Sequence, residues 1–85
     1  MNILETNDPI SEKLRKWRTW HKLNQAQMTD ALGVYLRRYT GEWLAVSTLS
    51  NWERGKFTPK PYVLQALHEL DRQYRVMEGA NDIPS

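Results

Sequence analysis

The chain has 85 residues, a net charge of +2 and no cysteine, which allows one domain with a small core and excludes disulfides and thiolate metal sites. No apolar run approaches the roughly 20 residues of a membrane span, and the start of the chain is not that of a signal peptide, so we expect a cytoplasmic protein with no membrane partner. Residues 1–12 carry −3, residues 13–60 carry +7 and residues 61–85 carry −2, and this basic middle favours a polyanionic partner over a merely solvated surface.

Two helices are predicted in the first half of the chain. Asp8 followed by Pro9 is typical of a helix start, because Asp caps free amides and Pro suits the first turn. The apolar spacing that follows predicts a helix to about Lys22. Asn24 is a suitable N-cap for a second helix, which we expect to end near Gly33.

Residues 34–43, VYLRRYTGEW, continue the helical apolar spacing and predict one or two added helical turns that close at Gly41. A short helix should follow from about Val46 to Arg54, with Gly55 in the left-handed conformation that ends a helix. The prolines of FTPKP make a rigid connector. Pro61 then begins a last helix whose apolar stripe indicates one buried face; the stripe consists of Val63, Leu67, Leu70, Tyr74 and Met77.

These elements predict an all-α fold. We expect a compact bundle of about five helices over residues 9–78, with flexible tails at residues 1–8 and 79–85. The stripe on the last helix either completes the chain's own core or meets a second copy.

The order of three segments carries a resemblance. LRKWR is followed by LNQAQMTDALG and then by STLSNWERGK, before the proline-rich turn and the last helix. Over about Ile10 to Leu70 this order resembles the Cro/C1-type (XRE) helix-turn-helix family of phage, plasmid and bacterial transcription regulators. The resemblance implies a lambda-repressor-like DNA-binding domain, with the segment STLSNWERGK as its recognition helix.

The resemblance also implies roles for residues outside the recognition face. Asn24 and Gln25 match positions at the start of helix 2, where the Gln side chain bonds a DNA phosphate; the alternative is a cap and a solvated side chain. Arg18 and Glu53 match a buried ion pair that ties helix 1 to the end of the recognition helix. The core positions of the recognition helix fall on Leu49 and Trp52.

The outward face of the recognition helix is expected to approach base edges in the major groove. Asn bonds adenine bidentately, Ser donates or accepts, and Val contacts a thymine methyl group. Asn51 is therefore the best single candidate, whereas for the two serines solvated surface is the alternative. The candidate base-contact residues are Val46, Ser47, Ser50 and Asn51. The candidate phosphate-contact residues after this helix are Arg54, Lys56, Thr58 and Lys60.

The chain departs from the family pattern between Gly33 and Leu44. Residues 34–43 are an apparent insertion in the turn, and the usual Ser or Thr cap falls on Ala45, a poor cap. We hypothesise that the insertion lengthens helix 2 or adds a small helix, and that Arg37 and Arg38 reach the DNA backbone. The alternative is that both arginines are solvated and the apolar residues extend the core; those residues are Leu36, Tyr39 and Trp43.

The expected function is a transcriptional repressor that binds a palindromic operator in double-stranded DNA as a homodimer. The candidate dimer interface is on the last helix and consists of Leu67, Leu70, Tyr74 and Met77. We expect no cofactor, metal or small-molecule effector, and no enzyme, because His21 and His68 are lone histidines without a catalytic partner. The alternative is an antitoxin-like or other protein-binding module with the same fold.

Overall fold

The computed structural model describes residues 3–82, with side chains described for residues 4–76. Within this range the chain forms four α-helices and no β-strand: α1 (Ile10–Trp20), α2 (Gln25–Thr40), α3 (Val46–Glu53) and α4 (Pro61–Asp82). A 3-10 helix at Ile3–Glu5 precedes them. The predicted all-α fold is confirmed, whereas the count of about five helices is wrong. None of the helices in residues 3–82 is long and apolar enough to cross a membrane.

The fifth helix is missing because α2 runs through Gly33 without interruption. Gly33 is buried inside α2 and does not have a positive φ, so it is not the helix end that we predicted. Leu32 and Leu36 on either side are buried in the core, and their burial stabilises a continuous helix beyond what local propensity would give. Residues 34–40 therefore lengthen helix 2, and the left-handed residue that closes it is Gly41, with φ 73°.

Packing against α4 explains why the added turns of α2 are helical. The ring of Tyr39 stacks on the ring of Tyr62 with centroids 5.8 Å apart and planes 11° apart. The Tyr39 hydroxyl also donates a hydrogen bond to Glu69 Oε1 at 3.4 Å. Tyr39 thus contributes to the contact between α2 and α4 although it is 42% exposed.

The predicted starts of two helices, α2 and α4, are confirmed. The Asn24 side chain accepts from the Gln27 amide at 2.7 Å while the Gln27 side chain accepts from the Asn24 amide at 2.9 Å, which forms a capping box. Pro61 is the first residue of α4. As expected from its side chain, Ala45 makes no capping hydrogen bond at the start of α3.

The expected N-terminal tail contains the 3-10 helix and one residue that packs in the core. Leu4 is buried in the core, and Asp8 Oδ2 accepts from Lys16 Nζ at 2.8 Å rather than capping α1, whose N-cap residue is Pro9. The Lys16 ammonium lowers the pKa of the Asp8 carboxyl below its usual value. At the other end α4 continues to Asp82, so the expected tail at 79–85 is helical as far as it is described.

A polar pair and three rings join α1 to α4. Trp17 Nε1 donates to Asp71 Oδ1 at 2.9 Å, and the other carboxylate oxygen accepts from Arg75 Nε at the same distance. The His21 ring contacts the rings of Trp17 and Tyr74, with centroids 4.2 and 4.8 Å away, and those two rings contact each other at 5.1 Å. Because Asp71 is buried and fully hydrogen-bonded in this way, it does not carry the penalty of an unpaired buried charge.

Replacing Gly33 with Ala tests the continuity of α2. Glycine in a helix interior costs about 1 kcal/mol relative to alanine, and an added Cβ would lie 3.5 Å from Leu44 Cβ, an ordinary contact distance. We expect Gly33→Ala to raise the free energy of unfolding by up to about 1 kcal/mol in urea titrations. Gly41→Ala is the matched control and should lower it by a similar amount, because only glycine adopts φ 73° without strain. A loss of stability for Gly33→Ala would contradict the continuous helix.

Candidate nucleic-acid interface

The eight residues of α3 divide into a buried side and an outward side. Leu49 is fully buried and packs in the core, and Glu53 is buried one turn later. The residues that point away from this side share one helical face, since they recur at spacings of one, three and four. Two of them are exposed, Val46 and Ser47, and two are half-buried, Ser50 and Asn51.

The end of α3 is a sharp turn that directs the chain toward the connector. The Lys56 amide donates to the Asn51 carbonyl at 2.9 Å and the Gly55 amide donates to the Trp52 carbonyl at 3.1 Å. Together with φ 74° at Gly55, these two bonds form a Schellman motif. The left-handed glycine was predicted from the sequence and is confirmed.

The connector is held by one buried proline. Pro59 is buried, whereas its neighbours Thr58 and Lys60 are exposed. Lys56 is also exposed. Three of the predicted phosphate-contact residues therefore present their side chains to solvent directly after α3.

The predicted ion pair between Arg18 and Glu53 is present and bidentate. Arg18 Nε lies 2.9 Å from Glu53 Oε2 and Arg18 Nη2 lies 2.9 Å from Glu53 Oε1. A third nitrogen, Nη1, donates to the Leu23 carbonyl at 3.0 Å. The side chains are 16% and 4% exposed, so the pair is shielded from water and links α1 to the last residue of α3.

The first turn of α2 is engaged within the protein. The Gln25 side-chain amide lies 3.5 Å from Glu53 Oε1 and so adds to the ion pair instead of pointing freely into solvent. The Asn24 side-chain oxygen is used by the capping box. The structure thus gives both residues an intramolecular role. The side-chain NH₂ group of Asn24 remains available to a phosphate.

The side chain of Asn51 is oriented by a neighbour. Arg54 Nη2 donates to Asn51 Oδ1 at 3.0 Å. A carbonyl oxygen has two lone pairs, so one stays available to accept from a base while the side-chain NH₂ group remains a donor. Arg54 therefore fixes the orientation of the Asn51 side-chain amide. The amide can still accept one hydrogen bond and donate another in bidentate readout of a base.

Nine of the twelve cations of the chain fall into two sets. Five of them flank α3 in the chain, two before it and three after it, and make no ion pair with any carboxylate of the described residues. These five unpaired cations are Arg37, Arg38, Arg54, Lys56 and Lys60. The ion-paired set lies on α1 and α4 and consists of Arg15, Lys16, Arg18 and Arg75. The other three cations, Lys13, Lys22 and Arg72, make no ion pair with a carboxylate of the described residues and do not flank α3.

Arg37 and Arg38 are exposed, as the phosphate hypothesis requires. The Arg37 guanidinium lies 4.3 Å from the ring centroid of Trp43, and that of Arg38 lies 5.3 Å from the ring centroid of Tyr35. Trp43 is 68% exposed and does not extend the core, whereas Leu36 is 3% exposed and belongs to it. The alternative of an extended core therefore holds for Leu36 and is wrong for Trp43. Sequence reasoning missed the contact between Arg37 and Trp43, because the six-residue separation is bridged only by the left-handed turn at Gly41.

A small open cavity lies between the insertion and α3. Its volume is about 210 Å³, and its walls include Leu36 of α2, Trp43 of the loop, Trp52 of α3 and Tyr62 of α4.

Over the part of the chain that is described, no three His, Cys, Asp or Glu side chains gather as a metal site would require.

Half of the predicted dimer interface is unavailable to a partner. Leu67 and Leu70 are 0% and 2% exposed and pack in the chain's own core, because the apolar stripe of α4 faces α1 and α2 within the same protein. Tyr74 is half-buried against Trp17. The side chain of Met77 lies outside the described residues.

No protein family, curated protein or solved structure matches this chain in the three comparisons made.

Removing one partner of the Arg18–Glu53 pair should be strongly destabilising. Arg18→Ala leaves the buried Glu53 carboxylate without its main partner, at a cost of about 3–5 kcal/mol in the free energy of unfolding by urea titration. The control is Arg15→Ala, which breaks an exposed 2.7 Å pair with Glu12 and should cost at most about 1 kcal/mol. Equal losses for the two variants would mean that the Arg18 pair does not fix the fold.

Proposed function

We propose that this protein is a sequence-specific DNA-binding transcriptional repressor of the Cro/C1 type that binds a palindromic operator as a homodimer. In this proposal α3 enters the major groove, and the protein works in the cytoplasm without catalytic activity, cofactor or small-molecule effector. The observation that carries the proposal is the position of the five unpaired cations, which flank the one short helix with a polar outward face.

The outward face of α3 has chemistry suited to direct readout. Asn51 supplies a donor and an acceptor for adenine, Ser47 and Ser50 supply hydroxyls, and Val46, 43% exposed, offers methyl groups to thymine. No arginine projects from the first turns of α3 to read guanine. We therefore propose modest direct readout in each half-site, with the acceptor end of Asn51 held by Arg54.

The unpaired cations suit the phosphate backbone. A cation without a carboxylate partner keeps its full charge for a phosphate and releases condensed counterions on binding. Lys56 and Lys60 flank the buried Pro59, so the connector presents them from a fixed segment. These contacts would set the position of α3 on the duplex and add affinity without reading sequence.

Dimerisation must use surface that the core leaves free. Two half-sites one helical turn apart would double the few base contacts that one α3 makes. Since Leu67 and Leu70 are buried, the proposed interface on α4 is reduced to the region of Tyr74 and Met77.

In-vitro selection from a random duplex library at about 0.15 M salt tests the proposal, with Asn51→Ala beside the parent chain. We expect the parent to enrich a palindrome and Asn51→Ala to relax one position in each half-site, at a cost of about 1–3 kcal/mol for the preferred base. A single half-site would keep DNA binding and reject the dimer. If no sequence is enriched, the chain is not a sequence-specific regulator, and a protein-binding module becomes the better proposal.

The salt dependence of binding tests the role of the insertion. Replacing Arg37 and Arg38 with Ala should lower the slope of log K against log salt by up to about two, because each lost phosphate contact removes roughly 0.9. The control removes two cations elsewhere, with Arg15→Ala and Arg72→Ala, and should leave the slope close to that of the parent. Equal slopes for the parent and the Arg37/Arg38 variant would exclude the phosphate contacts.

A further inference from the structure

Three of the five unpaired cations lie over aromatic rings. Besides the two arginines of α2, Lys56 Nζ lies 5.8 Å from the ring centroid of Phe57. The shortest of the three contacts is that of Arg37 with Trp43, at 4.3 Å. On α1 and α4, four cations have carboxylate partners instead: Arg15, Lys16, Arg18 and Arg75.

The two kinds of partner have different consequences for a polyanionic ligand. A carboxylate neutralises the cation and competes with an incoming phosphate. An aromatic face attracts the cation through its quadrupole and restrains the side chain, but it carries no net charge. A ring therefore reduces the rotamer entropy that an exposed arginine loses on binding while leaving its charge available.

The loop before α3 holds Trp43 in place for this contact. The left-handed Gly41 turns the chain back toward the last turn of α2, and the Glu42 amide donates to Thr40 Oγ1 at 3.0 Å. The Thr40 hydroxyl bonds in turn to the Leu36 carbonyl at 3.3 Å. The loop is thereby fixed to α2, and its next residues lead directly into the first turn of α3.

We infer that Trp43 is a positioning residue for DNA binding: its ring holds the Arg37 guanidinium, without neutralising it, for a phosphodiester group beside the start of α3. The ligand class is the backbone of duplex DNA, and the inference rests on the proposed function. Trp43 itself contacts no base in this scheme, so its effect on binding passes through Arg37.

A double-mutant cycle on duplex DNA over a salt series tests the inference. Trp43→Ala should weaken binding about two- to five-fold, the fold-change that an exposed cation–π contact supports, with the salt slope unchanged because the charge of Arg37 remains. Arg37→Ala should lower the slope by about 0.9. In the Arg37→Ala background, Trp43→Ala should cause no further loss of affinity.

Conservative variants of Trp43 separate the effect of its aromatic ring from the effect of its size. Trp43→Phe should keep most of the affinity, and Trp43→Leu, which is apolar but has no quadrupole, should behave like Trp43→Ala. Trp20→Ala is the matched control, since Trp20 is 72% exposed and no cation of the described residues lies over its ring; it should bind like the parent. In the free protein, NMR should show ring-current shifts of the Arg37 side-chain protons that disappear in Trp43→Leu.

Each contrary result has a distinct meaning. A parent chain that binds no duplex DNA would overturn both the proposed function and this inference. A parent that binds, with the same loss from Trp43→Ala in both backgrounds, would overturn the inference alone, because Trp43 would then act independently of Arg37. The inference would also be overturned by a parent spectrum without ring-current shifts at Arg37.

Discussion

A single guanidinium group, that of Arg18, holds the first three helices in their relative positions. Two of its nitrogens bind the Glu53 carboxylate at the end of α3, and a third binds the Leu23 carbonyl in the turn between α1 and α2. Gln25 approaches the same carboxylate from the start of α2. Because α3 has only eight residues and no side-chain N-cap, it is too short to be stable alone. The orientation of its outward face therefore depends on this network and on the burial of Leu49.

The length of α2 decides what lies beside the start of α3. The helix continues for seven residues past Gly33, which adds about 10 Å at 1.5 Å per residue. The connection to α3 begins with the left-handed Gly41, while Gly33 remains inside the helix and faces Leu44. The long helix thus brings Arg37 to the loop that leads into α3, where its guanidinium lies over the Trp43 ring. In the proposed complex, the added length of α2 would let the protein contact the DNA backbone with residues that precede its recognition helix.

Local signals predicted three helix caps correctly, and contacts with other parts of the chain explain the errors at Asp8 and Gly33. The caps at Asn24, Gly41 and Gly55 follow from side-chain chemistry and φ preference, which are visible in a short sequence window. A glycine such as Gly33 also predicts a helix end when only a short window is considered. Gly33 is nevertheless helical, because its neighbours are buried against other helices. Likewise, the outward face of α3 follows from helical spacing. The contact between Arg37 and Trp43 depends on how the chain turns at Gly41, and no spacing rule contains that geometry.

The contrast between cations paired with carboxylates and cations that lie over aromatic rings connects the structural and the proposed functional parts of the protein. A buried arginine such as Arg18 needs a carboxylate, because an unpaired charge in the interior costs several kcal/mol. An exposed arginine has no such need, and a carboxylate beside it would weaken any attraction to DNA. Arg37 stands over Trp43 instead, where it is restrained and still charged. Arginines of one short chain can therefore have two different roles. The group that an arginine contacts within the protein decides whether its charge stabilises the fold or stays available to a ligand.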